Sequence, residues 1–66
     1  MNYLKLKLKE KNMSQSELAR RIGVSKQYVY LLYRNEKPSL ETFMNIVTVL
    51  DLDLKEAIKW ITSIKL

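Results

Sequence analysis

The chain has 66 residues, of which 47% are hydrophobic, and it carries a formal net charge of +5. This length allows one domain, close to the smallest size that can bury its own core. The sequence contains no Cys and no His, which excludes a disulfide framework and the usual metal-binding clusters. Because it also lacks a Cys or His nucleophile or base and a phosphate-binding glycine loop, we expect neither an enzyme nor a bound cofactor.

The sequence shows no sign of membrane insertion or export. No segment approaches the roughly 20 consecutive apolar residues that a membrane span requires. The N-terminal residues alternate Leu with Lys and lack the apolar run and cleavage site of a secretory signal. Together with the absence of Cys, this predicts a cytoplasmic protein.

The basic charge is concentrated in the first part of the sequence. Residues 1–37 contain nine Lys or Arg against three Glu, a net charge of +6, whereas residues 38–66 have a net charge of −1. A one-sided basic surface suits a polyanionic partner such as a nucleic acid. Ordinary solubilising charge is the alternative explanation of the same excess.

The hydrophobic spacing predicts five helices, the first over residues 2–11. In this segment Leu4, Leu6 and Leu8 alternate with Lys as in a strand, but no second strand-like segment is available for pairing. Leu and Lys favour a helix, in which Leu4 and Leu8 lie one turn apart. A helix lying on a membrane surface is the alternative for this short basic segment.

The second and third predicted helices are separated by a tight turn. Ser14 and Glu17 form a capping box, in which the Ser oxygen accepts a backbone N–H and the Glu side chain reaches back. Gly23 ends the second helix in the left-handed conformation, and Ser25 caps the third helix. The residues expected to face inward are Leu18, Ala19 and Ile22, Val24 in the turn, and Val29 and Leu32.

The opposite face of the third helix has an unusual composition. Gln27, Tyr30, Leu31 and Arg34 are spaced i, i+3, i+4 and i+7, so they share one face. A face that only contacts solvent more often carries Glu, Lys and Ser. We therefore interpret this face as a contact surface.

Ser39 and Asp53 are the predicted caps of the last two helices, which cover residues 40–50 and 54–64. The residues expected to face inward are Leu40, Phe43, Met44, Val47 and Leu50 on the fourth helix, and Leu54, Ala57, Ile58, Ile61 and Ile64 on the fifth.

Trp60 widens the apolar arc of the fifth helix to about 160°, more than packing on one small core requires. Trp is also frequent at the energetic centre of protein interfaces. We therefore predict a homodimer whose interface contains Trp60, Ile61, Ile64 and Leu66. The alternative is that Trp60 closes the core of the monomer.

The run MSQSELARRIGVSKQYVYLL, residues 13–32, resembles the helix-turn-helix of the phage repressor and Cro type. The Ser-Gln-x-x-Leu-Ala start, the correctly spaced Gly and the Pro-Ser-Leu-Glu-Thr sequence at residues 38–42 all match the pattern of that family. The resemblance covers about residues 4–58. It implies a compact, all-α, five-helix repressor-like fold, with residues 1–66 forming a single DNA-binding domain. The spacing also has a physical reason, because Ala19 lets the two helices approach closely and Gly23 allows a sharp reversal.

The resemblance implies a sequence-specific transcriptional regulator of double-stranded DNA, expected to be a repressor. The two copies of the predicted homodimer would place their recognition helices about one DNA turn apart, which matches a palindromic operator. Residues 26–34 then lie in the major groove. Lys26 can donate to guanine, Gln27 can pair with adenine, and Tyr28 or Leu31 can contact a thymine methyl. The positions in the family motif that read bases are Lys26, Gln27 and Leu31 here, with Tyr30 alongside, and Tyr28 joins the predicted base-reading residues through its possible thymine contact. The predicted phosphate-contacting residues are Gln15 and Arg34 by position, and Lys37 because it lies close to Arg34. For any one of them, plain surface exposure is the alternative.

The sequence departs from the family at a buried ion pair. Where the family commonly has Arg in the first helix and Glu near the end of the third, this chain has Leu8 and Tyr33. Because both charges are replaced together, no uncompensated buried charge remains. We hypothesise that Leu8 packs on Tyr33. The family's Gly after the third helix is replaced by Asn35, which tolerates a positive φ.

A function of a different class is also compatible with these residues. Tyr28, Tyr30, Leu31 and Tyr33 suit a protein-interaction module, such as an antitoxin-like or anti-repressor protein, whereas Lys26 and Arg34 favour DNA. No small-molecule ligand is indicated. The two functions differ in salt dependence, since phosphate contacts make DNA binding weaken steeply as salt rises.

Overall fold

A computed structural model describes residues 2–64 and shows five α-helices in that part of the chain. The helices are α1 (Tyr3–Glu10), α2 (Gln15–Ile22), α3 (Lys26–Tyr33), α4 (Leu40–Leu50) and α5 (Leu54–Thr62). The all-α prediction is confirmed. Within the described residues, no helix is long and apolar enough to cross a bilayer.

The first segment is a helix, as predicted, and its first cap also contacts α3. Leu4 and Leu8 are fully buried, whereas Leu6 points outward. The Asn2 Oδ1 accepts the Lys5 backbone N–H at 3.1 Å, which caps α1. The Asn2 Nδ2 donates to the carbonyl oxygen of Leu32 at 3.1 Å. One side chain therefore ties the start of α1 to the end of α3.

The turn between α2 and α3 follows the predicted local rules, with one exception. The Ser14 Oγ accepts the Glu17 backbone N–H at 3.1 Å, but the Glu17 carboxylate binds Arg21 at 2.7 Å. The expected return contact from Glu17 to Ser14 is thus replaced by an ion pair one turn further along the helix. Gly23 has φ +74°, and the Ser25 Oγ accepts the Tyr28 backbone N–H at 3.0 Å.

The structure corrects the rotation of α4. Leu40 and Met44, predicted to face inward, are 75% and 46% exposed. The buried residues are Phe43, Ile46 and Leu50. Most residues of this helix are apolar, so spacing alone leaves several inward faces available, and contact with α2 selects the face centred on Ile46.

The rotation of α5 is corrected in the same way. Leu54 and Ile58 are exposed, while Ala57, Trp60 and Ile64 are buried. The Trp60 ring lies 5.5 Å from the Tyr3 ring and 6.3 Å from the Phe43 ring, measured between centroids. This aromatic cluster turns α5 toward α1 and α4.

Trp60 is only 5% exposed and Ile64 only 9%, so the protomer's own core occupies most of the predicted dimer surface. Ile61 is half-buried against that core. Leu66, the fourth residue of the predicted interface, lies outside the described residues. Homodimerisation and the residues of its interface stay predictions, and the burial of Trp60 favours the alternative that it closes the core of the monomer.

Polar contacts also join α1 to α5. The Tyr3 hydroxyl donates to the Glu56 carboxylate at 3.2 Å, and the Lys7 ammonium contacts the same carboxylate at 3.2 Å. Burial and the bond to Glu56 raise the pKa of Tyr3 above its ordinary value. Tyr3 therefore joins α1 to α5 twice, through its hydroxyl to Glu56 and through its ring to Trp60.

Candidate nucleic-acid interface

The two faces of α3 have different environments. Val29 and Leu32 are fully buried, which confirms their predicted inward position. On the opposite side, the exposed residues are Lys26, Gln27, Tyr30, Leu31 and Arg34; we call these five the outer face of α3. The structure therefore brings together four of the five predicted base-reading residues with one predicted phosphate-contacting residue.

Tyr28, the fifth predicted base-reading residue, lies at the border of this face. It is half-buried and packs against the core. Its side chain is less exposed than those of Tyr30 and Leu31, so less of it is available for contact with a thymine methyl.

Both ends of α3 are anchored. Ser25 caps the first turn, and Asn2 binds the last turn through the Leu32 carbonyl oxygen. Asn35 follows with φ +68° and accepts a second bond from the Asn2 Nδ2 at 2.9 Å. A helix held at both ends presents its outer face in a fixed orientation, which reduces the entropy lost on binding.

Tyr30 and Arg34 contact one another on the outer face. The Arg34 guanidinium donates to the Tyr30 hydroxyl at 3.3 Å and lies 6.0 Å from the centre of the ring. The predicted roles of the two residues were separate, base reading for Tyr30 and phosphate binding for Arg34, and their contact was not predicted. The i, i+4 spacing was the signal that could have revealed it.

Most cations near α3 have no carboxylate partner. Arg21 binds Glu17, but Lys26, Arg34 and Lys37 make no ion pair within residues 2–64. Lys37 lies in the loop between α3 and α4, outside the helix itself. These charges are therefore available to an external anion.

Gln15, the third predicted phosphate-contacting residue, lies at the first position of α2 and is half-buried. It borders an open groove of about 530 Å³ between α1 and the end of α3. Leu8 and Tyr33 line the same groove, so the two residues lie on one side of the molecule, as the hypothesis of their packing requires. Burial raises the pKa of Tyr33.

The anchored α2–turn–α3 unit and its exposed basic and apolar face define a class, the helix-turn-helix DNA-binding domains. The model of one family within that class, the Cro/C1-type HTH DNA-binding domain, matches residues 3–63. The chain belongs to this family. Neither the curated proteins nor the solved structures contain a significant match to the chain.

Family membership confirms the resemblance to regulators of the phage repressor and Cro type, and it assigns DNA binding to the domain. The roles of individual side chains in reading bases or contacting phosphates stay predictions.

Proposed function

We propose that the protein is a transcriptional repressor that inserts α3 into the major groove of a palindromic operator as a homodimer. The observation that carries the proposal is the outer face of α3. Its residues are exposed and contribute no packing to the core, although Tyr30 and Leu31 are large and partly apolar. Such a surface on a rigid projecting helix suits the edges of base pairs in the major groove.

The chemistry of the outer face suggests a division of roles. Lys26 can donate to guanine O6 and N7, and Gln27 can pair with adenine N6 and N7. Leu31 can pack on a thymine methyl. We assign Arg34, Lys37 and Gln15 to phosphates, which position the helix but carry no sequence information.

A dimer surface is available on α5, although on a different face from the predicted one. Leu54 and Ile58 are 49% and 44% exposed and lie one turn apart. We propose that these residues, with Ile61 beside them, contact a second copy of the chain. Two copies would read two half-sites about 34–36 Å apart, one turn of DNA.

Selection of binding sites from a pool of random duplex DNA tests this function. The proposal predicts one enriched motif made of two inverted halves, with centres about 10 base pairs apart. Enrichment of a single half-site would contradict the dimer. Absence of any enriched motif would contradict sequence-specific binding.

One observation favours the second function, a protein-interaction module. Leu40 and Met44 form an exposed apolar pair on α4 that has no role in the DNA-binding proposal. If this module is the main function, duplex DNA binds weakly and without preference. Substitutions of Lys26 and Gln27 then leave that weak binding unchanged.

A further inference from the structure

The groove beside Gln15 is lined almost entirely by hydrogen-bond donors and apolar groups. Its floor is formed by Leu8 and Met13. Its polar lining residues are Lys5, Lys9, Ser14, Gln15 and Tyr33. No Asp or Glu is among these lining residues, so the groove favours an anion over a cation.

The lysines of α1 divide into two groups. Lys7 is held by ion pairs with Glu10 and Glu56, both at 3.2 Å. Lys5 and Lys9, one turn apart, line the groove and make no ion pair within residues 2–64. Lys7 therefore contributes to the fold, whereas Lys5 and Lys9 keep their charges free.

The position of Lys5 is defined by the end of α3. Its ammonium lies 6.0 Å from the centre of the Tyr33 ring, and Tyr33 directly precedes Arg34. Gln15 belongs to the same groove, and we have assigned both Gln15 and Arg34 to phosphates. The free charges of α1 thus lie beside the phosphate contacts already proposed for α2 and α3.

We propose that Lys5 and Lys9 bind the phosphodiester backbone of DNA, which makes α1 a third DNA-contacting element. This inference rests on the proposed function. Tyr33 lines the same groove, and its hydroxyl is a further hydrogen-bond donor because a phenol is protonated at neutral pH. The groove is open rather than enclosed, which suits a polymer backbone passing over it.

The salt dependence of binding tests the inference. Affinity for a duplex is measured by fluorescence anisotropy between 50 and 200 mM salt, with the selected operator and with a duplex of random sequence. The variant is Lys5→Gln/Lys9→Gln. Its control is Lys55→Gln/Lys59→Gln on α5, an exposed pair with the same spacing, which removes the same charge but spares the groove.

The slope of log affinity against log salt is negative, and we expect its magnitude to be smaller by about 1.8 in the variant. Each lost phosphate contact removes about 0.9 from that magnitude. The loss should be equal on both duplexes, because phosphates carry no sequence information. The control should keep a slope close to that of the wild type, and Lys5→Arg/Lys9→Arg should restore it. If the thermal melt shows that the double variant is unfolded, the single variants Lys5→Gln and Lys9→Gln replace it, each with an expected fall of about 0.9.

Two failures are distinguishable. A wild-type protein that binds the operator tightly, with variant and control slopes equal, overturns the role of Lys5 and Lys9 only. A wild-type protein that binds no duplex with salt dependence overturns the proposed function itself.

Discussion

The helices α3 and α5 are both short and amphipathic with large aromatic residues, yet they use those residues in opposite ways. On α3, Tyr30 is 47% exposed and its hydroxyl accepts a hydrogen bond from Arg34 on the same face. On α5, Trp60 is 5% exposed and lies between Tyr3 and Phe43. A wide apolar arc therefore indicates a contact surface on α3 but closure of the core on α5.

The size of the core explains why Trp60 on α5 is buried while Tyr30 on α3 is exposed. The core of the described residues is small, so the large Trp60 side chain contributes substantially to its packing. The outer face of α3 is not needed for the core, because Val29 and Leu32 on the inner face already pack α3 against it. Substitutions on α5 should therefore change the stability of the fold, and substitutions on the outer face of α3 should change DNA binding.

The largest expected effect is on stability, from Trp60→Ala. Removing the ring leaves a cavity beside Tyr3 and Phe43, so the free energy of unfolding should fall by about 3–5 kcal/mol. Urea unfolding measures this loss. The control is Gln27→Ala on α3, which should change unfolding by no more than about 0.5 kcal/mol.

A milder substitution refines the same prediction. The Trp60 Nε1–H is buried without a hydrogen-bond partner within the described residues. Trp60→Phe removes this unsatisfied donor, which offsets part of the lost packing, so it should cost much less than Trp60→Ala. A Trp60→Ala variant that is fully stable but monomeric would contradict the core role of Trp60 and support its predicted role in the dimer interface.

The next effect concerns assembly. Leu54→Glu/Ile58→Glu should weaken dimerisation by about 2–3 kcal/mol per protomer, because each half-exposed side chain loses roughly half of its full burial energy. Sedimentation equilibrium measures the change. Leu40→Glu/Met44→Glu on α4 is the matched control, with the same spacing and the same added charge. Equal behaviour of the two pairs would argue against an α5 interface.

Substitution of the base-reading residues should weaken operator binding by an amount similar to or smaller than the loss of dimerisation. Lys26→Ala and Gln27→Ala should each weaken operator binding by about 1–3 kcal/mol while the thermal midpoint stays unchanged. Titration of the operator at fixed salt measures this loss, and Lys55→Ala on α5 is the control. Affinities that do not distinguish Lys26→Ala from Lys55→Ala would remove Lys26 from the interface.

The smallest effect concerns the contact between Tyr30 and Arg34. Because the pair is exposed, a double-mutant cycle of Tyr30→Phe and Arg34→Gln should show a coupling in DNA binding of about 0.5 kcal/mol. Additive effects would mean that Tyr30 does not position Arg34.

Sequence reasoning predicted the features that depend on local contacts. Ser14, Ser25, Ser39 and Asp53 cap the expected helices, and Gly23 takes the expected left-handed conformation. Each of these depends on atoms within a few residues. The outer face of α3 was predictable as well, because only one helical face could hold both Val29 and Leu32.

The features that were wrong or missed depend on distant partners. The rotation of α5 is decided by the contact between Trp60 and Tyr3, at opposite ends of the sequence. The double role of Asn2 depends on the position of Leu32. The groove lined by Lys5 and Tyr33 exists only once α1 lies against α3.

The central claim is that the outer face of α3 reads base edges. It is tested most directly by measuring wild type and Gln27→Ala on the selected operator and on a set of operators that each carry one altered base pair. We predict that Gln27→Ala loses discrimination at one position in each half-site, worth about 1–3 kcal/mol in the wild type, and keeps it at the others. Unchanged discrimination at every position in Gln27→Ala, and likewise in Lys26→Ala, would contradict the claim.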